Sequence, residues 1–297
     1  MYQAQATLFL YAISPVHMGA GTAFGLIDSP IQRERHTEHP LFAGSGLKGA
    51  VRHRFGQLTE WKNAQLLNRL FGPEGGELFA GAVSFGDAQL VAFPVRCAKQ
   101  GYVYITSPLA LARAARLLAL LGKKDFPKLP TTSAAGEASV TAGDLLSGDK
   151  LHLEAFEYRA QQNAPLQDVA EWLAANALPQ GMAHEFFRNK LKQHLVLLPD
   201  DDFGYFVRNA TVVEPHVKID DATGTAKDGG LFYVENLPPE SLLIAPLMAS
   251  QERSGKEERL EAEAVLSQVS AGLDGQLIQI GGDASTGRGQ VLVTVLK

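Results

Sequence analysis

The chain has 297 residues, 45% of them hydrophobic, and a formal net charge of −5. That length and apolar content allow one large or two ordinary buried cores, and the acidic balance argues against avid, nonspecific nucleic-acid binding. A single cysteine, Cys97, excludes an internal disulfide and fits a reducing, cytoplasmic setting. No apolar run approaches the roughly 20 residues of a membrane span, and the N-terminal residues lack the basic-then-apolar pattern of a secretory signal.

Residues 4–13 are rich in aromatic and β-branched side chains and predict a first strand, ended by Ser14-Pro15 and the glycines at 19 and 21. The stretch from there to Gly46 has no period and is long for a connection, which marks it as functional or disordered. Ser45 is the expected N-cap of a helix whose apolar face is Leu47, Val51 and Phe55. Leu66, Leu67, Leu70 and Phe71 predict a second helical piece, stopped by Gly72-Pro73. Residues 80–93 and 101–106 alternate like strands, and 109–121 predicts a helix closed by Gly122. The segment 123–149, poor in hydrophobic residues, is expected to be a surface insertion. A strand at 150–158 and helices at 166–177 and 181–191 follow. Residues 203–236 predict a projecting β-hairpin, with strands at 203–213 and 231–235 around a polar, glycine-rich tip at 220–230. A strand at 241–248, a helix at 256–272 and closing strands at 276–280 and 290–296 complete the chain. Without an internal repeat or a regular βαβ rhythm, the pattern favours an α+β core, ferredoxin-like or RRM-like, with large insertions.

Charge is unevenly spread. Between residues 31 and 56, Arg33, Arg35, Lys48, Arg52 and Arg54 stand against Glu34 and Glu38, a local basic excess. Lys48 and Arg52 are four residues apart and share a helix face. A cation in the first turn opposes the helix dipole, and a bound anion reverses that cost; Gly46 and Gly49 let backbone approach it. A solvated basic face is the alternative. The run from Gly281 to Gly289 holds four glycines, Ser285, Thr286 and Arg288 between two strands. It suits a backbone nest for phosphate or a plain hairpin turn, and it lacks the spacing of a P-loop. Asp28, between Ile27 and Ser29-Pro30, reads by itself as a turn former, yet its neighbours are apolar and its loop is long. His17 either bonds to backbone or shuttles protons near neutral pH. Glu235, at the base of the expected hairpin, is a weaker candidate; a solvated strand-end charge is its alternative. His36 and His39 have no metal-ligand spacing, and Cys97 reads as a small buried apolar residue.

Four segments together resemble the RAMP superfamily of CRISPR-associated proteins, and within it the backbone subunits of type III-B (Cmr) effector complexes. They are Ser14-Pro15-Val16-His17-Met18-Gly19, the Asp28 loop, residues 45–52, and the Gly281–Gly289 run. The resemblance implies a single domain over 1–297 shaped as a hand, with a palm of the fold above, fingers, and a thumb hairpin at 203–236. It implies a subunit that stacks with copies of itself into a helical filament on a guide RNA, beside other Cmr-type subunits and away from membranes. Ser45, Lys48, Arg52, Gly282, Arg288 and Lys218 are the implied RNA contacts. A target RNA complementary to the guide is cleaved at regular intervals. An Asp in the place of Asp28 is the family's catalytic residue. That implies attack of a ribose 2′-OH on the adjacent phosphorus, with Asp28 as general base or as ligand of a divalent ion, Mg or Mn, and His17 as partner. One departure stands out. The family's thumb often carries an arginine before the valine that opens the second hairpin segment, whereas here the string is Glu214-Pro215-His216-Val217-Lys218, so His216 or Lys218 is the substitute. Two rival readings are a non-catalytic RNA-binding scaffold of the same filament, and a stand-alone phosphate-ligand enzyme using the 281–289 loop.

Overall fold

The computed structural model describes residues 2–23, 25–58, 64–76, 79–131, 134–255 and 258–297. The elements in chain order are β1 (Ala4–Ala12), β2 (Leu41–Phe42), α1 (Gly44–Gln57), α2 (Ala64–Phe71), β3 (Val83–Phe85), β4 (Ala88–Cys97), β5 (Gly101–Thr106), α3 (Pro108–Leu120), β6 (Glu137–Val140), β7 (Lys150–Leu153), β8 (Phe156–Gln162), α4 (Ala164–Asn176), α5 (Glu185–Gln193), β9 (Leu195–Leu197), α6 (Asp200–Asn209), β10 (Val212–Ile219), β11 (Ala226–Asn236), β12 (Leu242–Ala249), α7 (Ala262–Leu273), β13 (Leu277–Gln279) and β14 (Gln290–Leu296). The fold is mixed α+β.

Strands β14, β1, β12 and β4 lie side by side, each antiparallel to the next. α1 follows β1 and α7 follows β12, and both helices cover one face. Leu47, Val51 and Phe55 of α1 and Val265, Val269 and Leu273 of α7 join Leu8, Leu10 and Ala12 in one core cluster. The opposite face meets α3, α4 and α5, where Phe9 and Tyr11 pack with Leu111, Leu118, Leu166, Leu173 and Leu191. β1 is thus buried on both faces, which is why it reads as a continuous apolar run. β4 is long enough to serve two sheets. Its second half pairs with β5, and β9, β6, β8 and β7 follow until Cys97 of β4 faces Leu153 of β7, closing a ring of six strands.

β10 and β11 form a separate hairpin. Its register sets Val213 opposite Glu235, Pro215 opposite Tyr233 and Val217 opposite Leu231. Strand alternation therefore puts Val213, Pro215, Val217, Leu231 and Tyr233 on one face, and Glu214, His216, Phe232 and Val234 on the other. At the tip, the Asp220 side chain accepts from Ala222 N at 2.9 Å, the expected local turn chemistry.

Several sequence expectations shift. Residues 203–209 belong to α6 rather than to a strand. Phe203, Phe206 and Val207 are buried at helical spacing, and Asp200, Asp201 and Asp202 fill a first turn where the helix dipole favours carboxylates. The hairpin accordingly starts at Val212, and its tip contracts to 220–225. The 123–149 segment contains β6, and its Ala138, Val140 and Leu145 are buried. β6 pairs with both β8 and β9, so the C-terminal half of the segment belongs to the six-stranded ring. The 150–158 strand is a hairpin of β7 and β8, turned at Glu154 with φ of 51°. α7 begins at Ala262; residues 256 and 257 of the expected helix lie outside the described residues. No helix among the described residues is long and apolar enough to cross a membrane.

Candidate functional site

The Asp28 segment lies along the outer edge of β11. Ser29 bridges Val234 in parallel fashion. Ser29 N donates to Tyr233 O at 3.1 Å and Glu235 N donates to Ser29 O at 3.0 Å. Tyr233 N donates to Asp28 Oδ2 at 2.7 Å. Both backbone polar groups of Tyr233 thus point away from its hairpin partner, Pro215. At such a non-bonded pair, the N–H that proline lacks would face outward anyway, so Pro215 costs the hairpin no ladder bond. Asp28 is exposed. Its carbonyl accepts from Ala23 N at 3.0 Å, closing a turn that carries Leu26 at 93% exposure.

His17 reaches the same edge of β11. Its Nδ1–H donates to Glu235 O at 2.7 Å, which leaves Nε2 as the acceptor in the neutral ring. Tyr233 N and Glu235 O are two residues apart, roughly 7 Å along the strand, so Asp28 and His17 are fastened to one short stretch of backbone. The Glu235 side chain is neither solvated nor free. It is 2% exposed and accepts from Ile31 N at 3.0 Å, Arg33 Nη2 at 2.5 Å and Thr211 Oγ1 at 2.8 Å. Arg33 also donates to Val207 O and Glu38 O. Glu235 therefore ties the Asp28 segment and α6 to the hairpin root.

The glycine-rich loop packs against His17 from the other side. Gly282 N donates to His17 O at 2.9 Å. Gly281 has φ of +81°, and a Cβ there would lie 2.3 Å from His17 O, so both conformation and space demand glycine. Residues 281–287 are exposed. Arg288 is not a free cation: its Nη2 contacts Glu214 Oε2 of β10.

The start of α1 completes the neighbourhood, since Gly46 packs on the Met18 methyl and Gln32 Oε1 accepts from Ala43 N at 3.3 Å. Ser45 is not the N-cap. That position is Ala43, and the Gly44 N–H is met at 2.7 Å by Asp87 Oδ1 from the turn between β3 and β4. A Cβ on Gly44 would lie 2.2 Å from Phe85 O, so only glycine lets helix and turn approach this closely. Lys48 is half-buried, and no carboxylate pairs with it among the described residues. Burial, with the nearby Arg52 charge adding to it, lowers its pKa. Such a desolvated cation gains from an anion. Arg52 is spent within the chain: it contacts Gly72 O at 2.5 Å, Asn68 Oδ1 at 2.8 Å and Glu74 Oε1 at 3.1 Å, fastening α1 to α2.

The structure thus gathers Asp28, His17, Gly282, Arg288 and the Ser45–Lys48 turn around the hairpin root. It leaves Arg52 on the α2 side. Lys218 is exposed, four residues beyond Glu214 and roughly 13 Å along the strand toward the tip. The contacts that Arg33, Asp87, Glu214 and the Tyr233 amide make around the candidate site were not legible in the sequence, because their partners are distant in the chain. Among the described residues, no group of three His, Cys, Asp or Glu side chains forms a protein cage for a metal ion. Asp28 offers a single carboxylate with one oxygen already accepting a hydrogen bond.

The sequence model of the RAMP superfamily matches residues 9–292. The chain is 34% identical to the CRISPR system Cmr endoribonuclease Cmr4 of Pyrococcus furiosus over 96% of this chain and 94% of that one. It is 24% identical to the CRISPR system CMR subunit Cmr4 of Saccharolobus solfataricus over 95% of this chain and 94% of that one. The crystal structure of oligomeric Cmr4 from Pyrococcus furiosus matches with a TM-score of 0.76 at 29% identity, covering 99% of this chain and 98% of that one. A chain of the type III-B Cmr-beta complex bound to cognate target RNA shares the fold, with a TM-score of 0.74 at 19% identity over 99% of this chain and 98% of that one. The chain belongs to the RAMP superfamily and, within it, to the Cmr4 family.

Proposed function

We propose that this chain is the guide-RNA-binding backbone subunit of a type III-B CRISPR effector complex and the endoribonuclease that cuts the paired target RNA. Copies of it stack along the guide in the cytoplasm, beside other Cmr-type subunits. Its relative in Pyrococcus furiosus carries the name endoribonuclease, and a solved form of that relative is oligomeric. The whole chain acts as one domain. β14, β1, β12 and β4 with α1 and α7 form a ferredoxin-like palm, the six-stranded ring with its helices forms the fingers, and β10–β11 is the thumb. The 281–289 loop then belongs to an RNA-binding face, which sets aside the stand-alone phosphate-ligand enzyme.

One observation carries the catalytic reading: Asp28 and His17 are fixed to the same edge of β11, at the root of the hairpin. A hairpin that parts the guide–target duplex leaves a target nucleotide unstacked beside that edge. Such a nucleotide reaches the in-line geometry that a stacked helix forbids. The 2′-OH gives its proton to a base, and its oxygen bonds to phosphorus. The P–O5′ bond breaks, and the departing oxygen takes a proton. The products are a 2′,3′-cyclic phosphate and a 5′-OH. His17 holds its proton on Nδ1 against Glu235 O, which presents Nε2 as a proton carrier. Asp28 supplies the negative charge, as base or as a ligand. With one oxygen available, Asp28 suits a Mg or Mn ion that takes its other ligands from water and RNA phosphates; such an ion would polarise the phosphoryl oxygen.

Asp28→Asn tests the reading in the assembled complex. Asparagine keeps the acceptor for Tyr233 N but loses basicity and charge. Cleavage is expected to fall by about 10²–10⁴-fold or more, with target binding unchanged. The bond from Tyr233 N also fits a purely structural Asp28. Wild-type cleavage by the variant would therefore install the scaffold reading. A target carrying 2′-deoxy nucleotides at the cut sites is expected to resist cleavage.

A further inference from the structure

The cation offered by the glycine-rich loop is masked. Arg288 Nη2 contacts Glu214 Oε2, with side-chain exposures of 15% and 31%. His216 Nε2 lies 3.8 Å from the same carboxylate oxygen. The His216 ring stacks on Phe232, with centroids 5.3 Å apart, and its Nε2 is buried without a hydrogen-bond partner. A single carboxylate from the hairpin thus sits between a guanidinium from the loop and an imidazole from its own strand. The exposed backbone of residues 281–287 lies next to it in sequence.

We infer that Glu214 stands in for an RNA phosphate: it occupies Arg288 in the free subunit, and a backbone phosphate of a bound RNA displaces it. The inference rests on the RNA-binding reading above and names a residue that regulates it. A carboxylate and a phosphodiester each bring one negative charge and accept from the same guanidinium fork. Glu214 is the more exposed partner, at 31% against 15% for Arg288. Part of the pair faces solvent, so an incoming phosphate has access to it. A phosphate on a strand already held at Lys48 arrives at high effective concentration. The exchange has two consequences. A lone subunit keeps its loop cation neutralised, in line with the chain's net charge of −5, and so avoids stray RNA. RNA that takes Arg288 also unclasps the hairpin from the loop, so that guide binding and hairpin placement become one event.

Counterion accounting supplies the test. In the wild type, a phosphate arriving at Arg288 sheds its counterion while the freed Glu214 acquires one, so the net release is near zero. In Glu214→Gln the second step is gone. Binding of a labelled, unstructured single-stranded RNA to the full chain is followed by fluorescence anisotropy across a salt series. Glu214→Gln is expected to bind about two- to fivefold tighter at low salt, with a log K against log salt slope steeper by about 0.7. Glu214→Asp is expected to restore wild-type behaviour. Arg288→Ala and the double variant Arg288→Ala with Glu214→Gln are expected to bind equally. Matched urea midpoints show that each variant is folded. If wild type binds RNA and Glu214→Gln binds no tighter at an unchanged slope, the pair is a plain fastener and the inference fails while the RNA-binding reading stands. If neither folded protein binds RNA at any salt, the RNA-binding reading itself fails, and the inference with it.

Discussion

Glu235→Ala strikes the point where the Asp28 segment, α6 and the hairpin root meet. The carboxylate is 2% exposed and accepts three hydrogen bonds, one from the Arg33 guanidinium at 2.5 Å. Removing one member of a buried ion pair costs about 3–5 kcal/mol, because the other charge is left uncompensated. Arg33 keeps Val207 O at 2.9 Å and Glu38 O at 2.8 Å, and its side chain is 20% exposed. Those contacts place the loss at the lower end, about 3 kcal/mol. Glu235→Gln keeps an acceptor and the shape, so about 1–2 kcal/mol is expected. Urea unfolding at constant m-value reads both numbers. In the assembled complex, Glu235→Ala should also slow target cleavage more than it weakens guide binding, since Ile31 loses its tether three residues from Asp28. A Glu235→Ala midpoint equal to wild type would show that this carboxylate does not organise the root, and the coupling argument would fall with it.

Lys48→Ala and Arg52→Ala should separate, although the two residues share a helix face. Lys48→Ala is expected to flatten the salt dependence of RNA binding by about 0.7 at unchanged stability; Arg52→Ala is expected to cost about 1–3 kcal/mol of stability with the salt slope nearly intact. A thermal or urea midpoint paired with the anisotropy series reads both. Glu240, in the turn between β11 and β12, faces the Tyr104 hydroxyl at 3.3 Å, and burial pushes its carboxyl up to about 7. The fold therefore holds a proton that the unfolded chain releases near pH 4.5, so stability is lost as pH rises from about 4.5 to about 7 and stays lost above it. Glu240→Gln should match wild type near pH 5 and exceed it by about 2–3 kcal/mol at pH 8; parallel pH profiles for the two proteins would refute the assignment.

What the sequence revealed and what it hid divide along contact distance. The strand at 4–13 and the helix face of Leu47, Val51 and Phe55 were legible because their burial leaves a local period. α6 was misjudged. Its Phe203, Phe206 and Val207 suit a strand by propensity, and the helix is settled by packing on His39 and Phe156, which no local window contains. β6 hid inside a polar segment because only four of its residues join the ring. At the site, Asp28, His17 and the glycine-rich loop were visible through their resemblance to a family pattern. The pairing of Arg288 with Glu214 and of Arg52 with Glu74 was not. A cation's partner can lie anywhere in the chain, so sequence gives the charge without saying whether it is spent.

The hairpin and the candidate catalytic carboxylate are not separable pieces. A two-stranded hairpin standing alone in water is marginal, and this one carries exposed Val213, Val217, Ile219 and Leu231 that bury little within the chain. Its order has to come from the root. Several fastenings supply it: first the 28–31 segment, hydrogen-bonded to the edge of β11 through Ser29, then the Glu235 side chain, tied to Ile31, Arg33 and Thr211; in the free subunit the Arg288 contact with Glu214 adds to them. The first fastening is also what aims Asp28, because the amide that holds Oδ2 belongs to Tyr233. A ligand that tilts β11 would therefore shift the Asp28 anchor with it. Because Pro215 and Tyr233 form a non-bonded pair, the Tyr233 amide faces away from β10 and is open to the Asp28 carboxylate. Under the function proposed above, a target strand that seats the hairpin would position the carboxylate in the same movement. On that proposal, cleavage spacing and cleavage chemistry would share one mechanical origin, the backbone of β11 between Tyr233 and Glu235.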